Sequence, residues 1–238
     1  MEQLSNIKAF LKELQTFESR QDVFNPWKDY ANGYDIGPDA PEIRSRHLEE
    51  FLRLRLGRAK WMLVGEAVGY QGGRFSGVAL VSERILLGYH NRVHPSAILA
   101  SSPGARTSDP ECKYFKYRTQ TLQGFNEPTA TIVWEAIMDQ GISPFEIVTW
   151  NTFPFHPFRQ KSGFFSNRFP KEEEVKLGMN YLEQLIRIFP ETNIIAVGRT
   201  AERALHRHGI SSIHVPHPSN GGANDFREAF RSIFEKSD

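Results

Sequence analysis

Four short apolar runs constrain this chain more than any other feature. "KWMLVGEA" (60–67), "FEIVTWN" (145–151), "NIIAVG" (193–198) and "IHVPHP" (213–218) are each too short for a helix, and each meets Gly, Asn or Pro at or beside its end. Continuous apolar runs bounded by turn residues fit strands buried on both faces. Helical patterns separate them. Residues 127–141 end on Gly141 as a C-cap, and 170–190 open with Pro170 in the first turn and Glu172 to Glu174 beside the positive helix end. Residues 200–209 have Thr200 as an N-cap, and 224–236 form a closing helix. Such alternation predicts an α/β fold: a single-domain, three-layer α/β/α sandwich around a central four-stranded, mostly parallel sheet. At 238 residues there is enough chain for one sizeable core. The expected division is an α/β core over 58–235, preceded by a helical and extended segment over 1–57. In that segment Ile7, Phe10, Leu11 and Leu14 recur at helical spacing, 22–47 reads as an extended surface stretch, and helix returns from about Pro41 to Leu56.

Ligands of open parallel sheets bind beyond the carboxyl ends of the strands. The odd residues gather there: Glu66 with a glycine loop, Asn151, Gly198-Arg199-Thr200, and His217-Pro218-Ser219. The loop "VGEAVGYQGGRFSG" (64–77) has neither the dinucleotide glycine spacing nor the Gly-Lys-Ser/Thr ending of a phosphate loop. A glycine-rich turn alone is ordinary loop geometry, but a carboxylate at a buried strand end, Glu66, needs a partner or a task. From Phe153 to Pro170 there are six phenylalanines together with His156, Arg159, Lys161 and Arg168, and no acidic residue. Interleaved rings and cations fit single-stranded nucleic acid, where rings stack on bases and cations follow phosphates; the competing reading is a long loop whose rings pack into the core. Asn151 offers a donor and an acceptor together, as reading a base edge requires. His214 and His217 stand three apart in an extended run, so they point to opposite faces and no metal site is expected. His217 falls at the rim, His214 in a structural position. Ser219, Asn220 and Gly221, just ahead of a helix, suit a phosphate.

The formal net charge of +1 announces no nucleic-acid partner by itself, so any such contact must come from local patches. Cys112 is the single cysteine, which excludes an intrachain disulfide and a cysteine-held cluster; between Glu111 and Lys113 it reads as an incidental surface or loop thiol. The first twenty residues carry charges throughout, so neither a signal peptide nor a membrane span is expected there, and a cytoplasmic location is the default.

Taken together, strand–"GEAVG", strand–Asn151 and strand–His217-Pro218-Ser219 resemble the uracil-DNA glycosylase superfamily over roughly residues 58–235. Asn167-Arg168-Phe169-Pro170 adds a likeness to its thermostable branch, of which this chain looks like a relative without the iron–sulfur cluster. The resemblance implies a cofactor-free, monomeric, monofunctional hydrolase of base-excision repair. Such an enzyme cuts the N-glycosidic bond of uracil or a related damaged base flipped out of DNA. It implies catalytic roles for His217, on the base oxygen that gains charge, and for Glu66, on the attacking water. Base contacts fall to Gly65, Ala67, Gly69, Phe75, Leu80 and Asn151, and contacts to the DNA backbone to Arg168, Ser219, Asn220 and Gly221. The chain departs from the pattern at several places. Ala67 stands where the usual water-activating side chain is, and Val68 replaces a proline. Leu80 replaces a stacking ring, for which Phe75 is the candidate substitute. Gly69 replaces the tyrosine that bars thymine, which implies a smaller wall and broader base selection. These departures keep a second function open: a catalytically weak or inactive member that binds DNA or damaged bases.

Overall fold

The computed structural model describes residues 2–235. In chain order the elements are α1 (Glu2–Thr16), β1 (Val23–Phe24), α2 (Ala40–Arg53), β2 (Trp61–Ala67), α3 (Gly73–Ser76), α4 (Glu83–Leu86), α5 (Arg118–Gln123) and α6 (Pro128–Asp139). Then come β3 (Ile147–Phe153), β4 (His156–Pro157), α7 (Glu172–Ile188), β5 (Asn193–Val197), α8 (Arg199–Arg207), β6 (Ile213–Val215) and α9 (Ala223–Glu235). All four apolar runs are strands, and they form one sheet in the order β3-β2-β5-β6, parallel throughout. β1 and β4 make a separate antiparallel pair.

Register explains the layering. Trp61, Leu63 and Gly65 pair with Ile147, Thr149 and Asn151, so these share one face; Met62, Val64 and Glu66 share the other with Val148, Trp150 and Thr152. On the first face Thr149 Oγ1 donates to the Ala79 carbonyl and Trp61 meets Phe234 of α9, which packs on α6. On the second, α1 brings Phe10 against Trp150, and α7 and α8 complete the layer. Both faces being covered is why the strands are apolar without alternation. Among the described residues no helix is long and apolar enough to cross a membrane.

Several local expectations change. Residues 22–47 are not a surface stretch: Val23, Phe24 and Trp27 are buried, and Trp27 stacks on Trp150 at 6.0 Å. This segment also carries Asp35, which bonds Arg44 and Arg74 at 3.1 and 2.8 Å with all three side chains buried. A Pro/Gly/Asn-rich composition signals broken backbone, not exposure, and here it wraps a buried ion cluster. Gly198, not Thr200, is the N-cap of α8, and α7 begins at Glu172 with Lys171 as N-cap, leaving Pro170 outside the first turn. Glu174 reaches back to the Lys171 N–H at 2.7 Å, closing that end. Cys112 does sit in a loop, but it is 6% exposed, and burial raises its thiol pKa. Lys236, expected to end the last helix, lies outside the described residues.

Candidate active site

A cavity of about 380 Å³ opens at the carboxyl ends of β2, β3, β5 and β6, within the size range of small-molecule sites. Gly65, Glu66, Ala67, Val68, Gly69 and Leu80 line one part of it, Asn151 its floor, and His217, Ser219 and Asn220 another wall. Because Glu66 belongs to one face of the sheet and Gly65 and Asn151 to the other, the cavity straddles the sheet edge.

Asn151 is 2% exposed, and its Oδ1 is buried with no hydrogen-bond partner. A buried amide oxygen left unpaired costs about 1–3 kcal/mol, so its arrangement makes sense where a ligand N–H completes it. Gly65 pairs with Asn151 across the sheet, and a Cβ on Gly65 would stand 2.7 Å from that oxygen. The glycine is what lets the amide cross the strand. We therefore expect Gly65→Ala to push Asn151 aside and slow whatever chemistry the cavity performs by about a hundredfold. The melting temperature should change little by comparison, as a joint rate and melting measurement would show.

His217 Nδ1 lies 2.7 Å from the Ser219 hydroxyl and accepts the Ser219 backbone N–H at 3.1 Å. An amide N–H can only donate, so Nδ1 is the acceptor and the neutral ring carries its proton on Nε2. Burial also lowers the imidazole pKa. The ring is thus held as a neutral Nε2–H donor. Gly198 (φ +89°) lets the ring approach: a Cβ there would stand 3.0 Å from the His217 Cβ. Burial raises the Glu66 pKa, opposed by a hydrogen bond with Thr200. Leu80 and Asn220, the two non-glycine residues with positive φ (both 54°) among those described, both line this cavity. Backbone strain concentrated at one cavity is a mark of a functional site. The Leu80 turn is held by Trp134 Nε1, which donates to its carbonyl at 2.9 Å.

Other expected site residues are placed outside the cavity or are already engaged. Phe75 is fully buried, stacked on Phe125 at 4.9 Å beneath the Arg74 guanidinium, and does not reach the cavity. It cannot stand in for the ring missing at Leu80. Arg168 lines the cavity, but its guanidinium is spent on Glu174, at 2.7 and 2.8 Å, and on Asp22 at 3.0 Å. A neutralised arginine of this kind makes a weak phosphate clamp. Gly221 continues the left-handed turn after Asn220 (φ +88°) without lining the cavity. Of the six phenylalanines in 153–170, Phe153, Phe155 and Phe158 are buried and Phe164 and Phe165 join aromatic clusters; only Phe169, 76% exposed, stands free at the cavity mouth. His156 is buried against the Ser166 carbonyl, with its pKa driven down to about 3 by desolvation. The packing reading of that loop holds for five rings of six. His214 is half-buried on the α8 side, 4.0 Å from Glu202, and away from His217.

Glu127 and Thr129 line the cavity without having been singled out in the sequence. The signal for Glu127 was available, since a glutamate directly before Pro128 sits at a helix N-cap, where Ser, Thr, Asp and Asn are the usual residues. Its carboxyl also alters the wall at Gly69. A Cβ on Gly69 would meet Glu127 Oε1 at 2.8 Å and Asn167 Nδ2 at 3.7 Å, so the wall has been refilled from α6 and the 160s loop. Those neighbours make it polar.

Residues 54–236 match the Uracil DNA glycosylase superfamily. A search of curated proteins finds no match. Among solved structures the chain is similar to wild-type SMUG2 of Pedobacter heparinus, at 10% identity and a TM-score of 0.62, with 97% of each chain covered. At that identity the likeness is one of fold. The matched span holds all four parallel strands and every residue that lines the cavity, and the chain belongs to the Uracil DNA glycosylase superfamily.

Proposed function

We propose that this protein is a monofunctional DNA glycosylase that hydrolyses the N-glycosidic bond of uracil or a related deaminated base extruded from DNA. One observation carries the reading: an imidazole, an amide and a carboxyl from three separate strand ends line a single base-sized cavity, and the amide oxygen is buried without a partner. The C–N bond breaks with its electron pair going to the base, leaving a sugar cation. Charge gathers on a base carbonyl oxygen, and the neutral His217 Nε2–H donates to it, a preorganised contact that strengthens as the charge grows. Asn151 reads the lactam edge, its Oδ1 accepting the ring N–H. Backbone N–H groups between Glu66 and Gly69 serve the second carbonyl. Water adds to the sugar carbon and loses a proton to Glu66, whose raised pKa suits a proton acceptor. Ser219 and Asn220 are exposed at the rim, where they meet the flanking phosphates. The groove beside the cavity, sharing Thr200 and lined by Lys176, Arg203 and Arg207, continues the path of the strand.

The test is abasic-site formation on single-stranded uracil, on U·A and U·G pairs, and on strands carrying hypoxanthine or xanthine. Product from at least one supports the reading, and none from folded protein ends it. Salt-dependent DNA binding with no turnover would favour instead a binding member of the superfamily, a reading that the methyl group of Ala67 at the cavity wall favours.

A further inference from the structure

We propose that Glu127 is a specificity-determining residue of this cavity, presenting an O–H donor to a carbonyl oxygen of the extruded base and so restricting it to oxo bases over their amino parents. The proposal rests on the glycosylase reading and names what selects its substrate. Glu127 is the N-cap of α6, yet its side chain makes no capping bond to the free N–H groups of that helix. It turns instead into the cavity wall, with Oε1 beside Gly69 and Oε2 beside Gly72, where a Cβ would come within 2.8 and 2.3 Å of those oxygens. Oε2 is buried with no hydrogen-bond partner. Among the described residues no cation pairs with this carboxyl; Arg168, which also lines the cavity, is committed to Glu174 and Asp22.

A carboxyl with no donor and no cation around it cannot hold a charge there cheaply. Desolvation pushes its pKa up to about 8, so the acid is protonated at neutral pH. With the proton on Oε2 a buried O–H would have nothing to bond, whereas on Oε1 it faces the cavity. What it offers an incoming base is therefore a donor. A carbonyl oxygen accepts that bond. An amino group at the same place sets donor against donor, or drives the proton to Oε2 and orphans it. Uracil and hypoxanthine carry such an oxygen where their parents cytosine and adenine carry an amine. The residue costs the fold a favourable cap and a buried polar atom, and packing alone explains neither.

Single-turnover release of an oxo base and direct binding of that base test the idea together, in the wild type, Glu127→Gln and Glu127→Ala. The wild-type rate should fall about tenfold per pH unit above about 8, as the donor ionises. Glu127→Gln, which keeps a neutral donor of similar shape, should lose that alkaline limb while staying within about tenfold of the wild type at pH 7. Glu127→Ala should be slower about ten- to a hundredfold below pH 8, should lack the alkaline limb, and should be met by the falling wild-type rate at higher pH. Tyr70, in the facing loop, has its pKa raised above the ordinary tyrosine value and titrates higher. Glu66 and His217 are untouched by either variant, so a limb that vanishes in Glu127→Gln belongs to Glu127. Binding of free uracil, compared at pH 6 and pH 8.5 where uracil itself stays neutral, should weaken about fourfold in the wild type and stay unchanged in Glu127→Gln. If the wild type cleaves but Glu127→Ala matches it within twofold and keeps the same limb, the proposal is overturned and the glycosylase reading stands. If nothing is cleaved, the glycosylase reading falls. Uracil binding with no difference between wild type and Glu127→Gln would then remove Glu127's role as well.

Discussion

His217→Ala lowers the single-turnover rate of base release about a hundred- to a thousandfold, the usual cost of deleting one donor to a developing anion. The ring sits at the cavity wall, bonded among the described residues to Ser219, so its removal leaves the sheet and core as they are. Circular dichroism and the melting temperature should match the wild type. The pH dependence is specific. Burial lowers the imidazole pKa, and the Ser219 N–H occupies the nitrogen that would take a second proton. The ring is therefore already neutral as pH rises through the ordinary histidine range near 6.5. A rate that requires a protonated histidine would fall across that range; this one should not.

Asp35→Ala has the largest expected effect on stability, about 3–5 kcal/mol by chemical denaturation. Asp35 Oδ1 accepts from Arg44 and Arg74, and Oδ2 accepts the Ala31 N–H at 2.9 Å. Without the carboxylate two buried guanidiniums lose the partner they share, one of them 3.7 Å from the centre of the Phe24 ring. Burial by itself would raise the Asp35 pKa, but Arg74 and Arg44 together hold it below the usual aspartate range. The stability it contributes is thus fully present above the unfolded-state pKa near 4 and is lost as pH falls through the lower folded value. The gap between wild type and variant should narrow on acidification. Arg74 lies in α3, within the glycine-rich stretch that leaves the cavity wall, so this cluster anchors that wall as well as the N-terminal segment.

The sheet was legible because its strands are buried on both faces and so read as unbroken apolar runs, and because β6, though only three residues long, is flanked by turn residues. The rim was legible for the same reason: once strand ends are known, Glu66, Asn151 and His217 follow from position. What could not be read depended on pairings distant in sequence. Asp35 meets Arg74 across 39 residues, and nothing local to Asp35 announces a buried ion cluster. Phe75 is held away from the cavity by its stack on Phe125, a contact between α3 and the loop after α5. Arg168 had the right charge at the right place, and only the fold shows that Glu174 and Asp22 neutralise it. Glutamate at the N-cap position of Glu127 is an unusual choice, but spacing along the chain does not show which way that side chain turns.

The arrangement at the strand ends is best tested by the crystal structure of the protein with a single-stranded oligonucleotide carrying 2′-fluoro-arabino-uridine, whose fluorine destabilises the sugar cation and keeps the bond intact. The account places the uracil in the cavity, its ring N–H on Asn151 Oδ1 and a carbonyl oxygen within hydrogen-bond reach of His217 Nε2. A bound strand whose uracil lies outside that cavity, with Asn151 and His217 untouched, would contradict it.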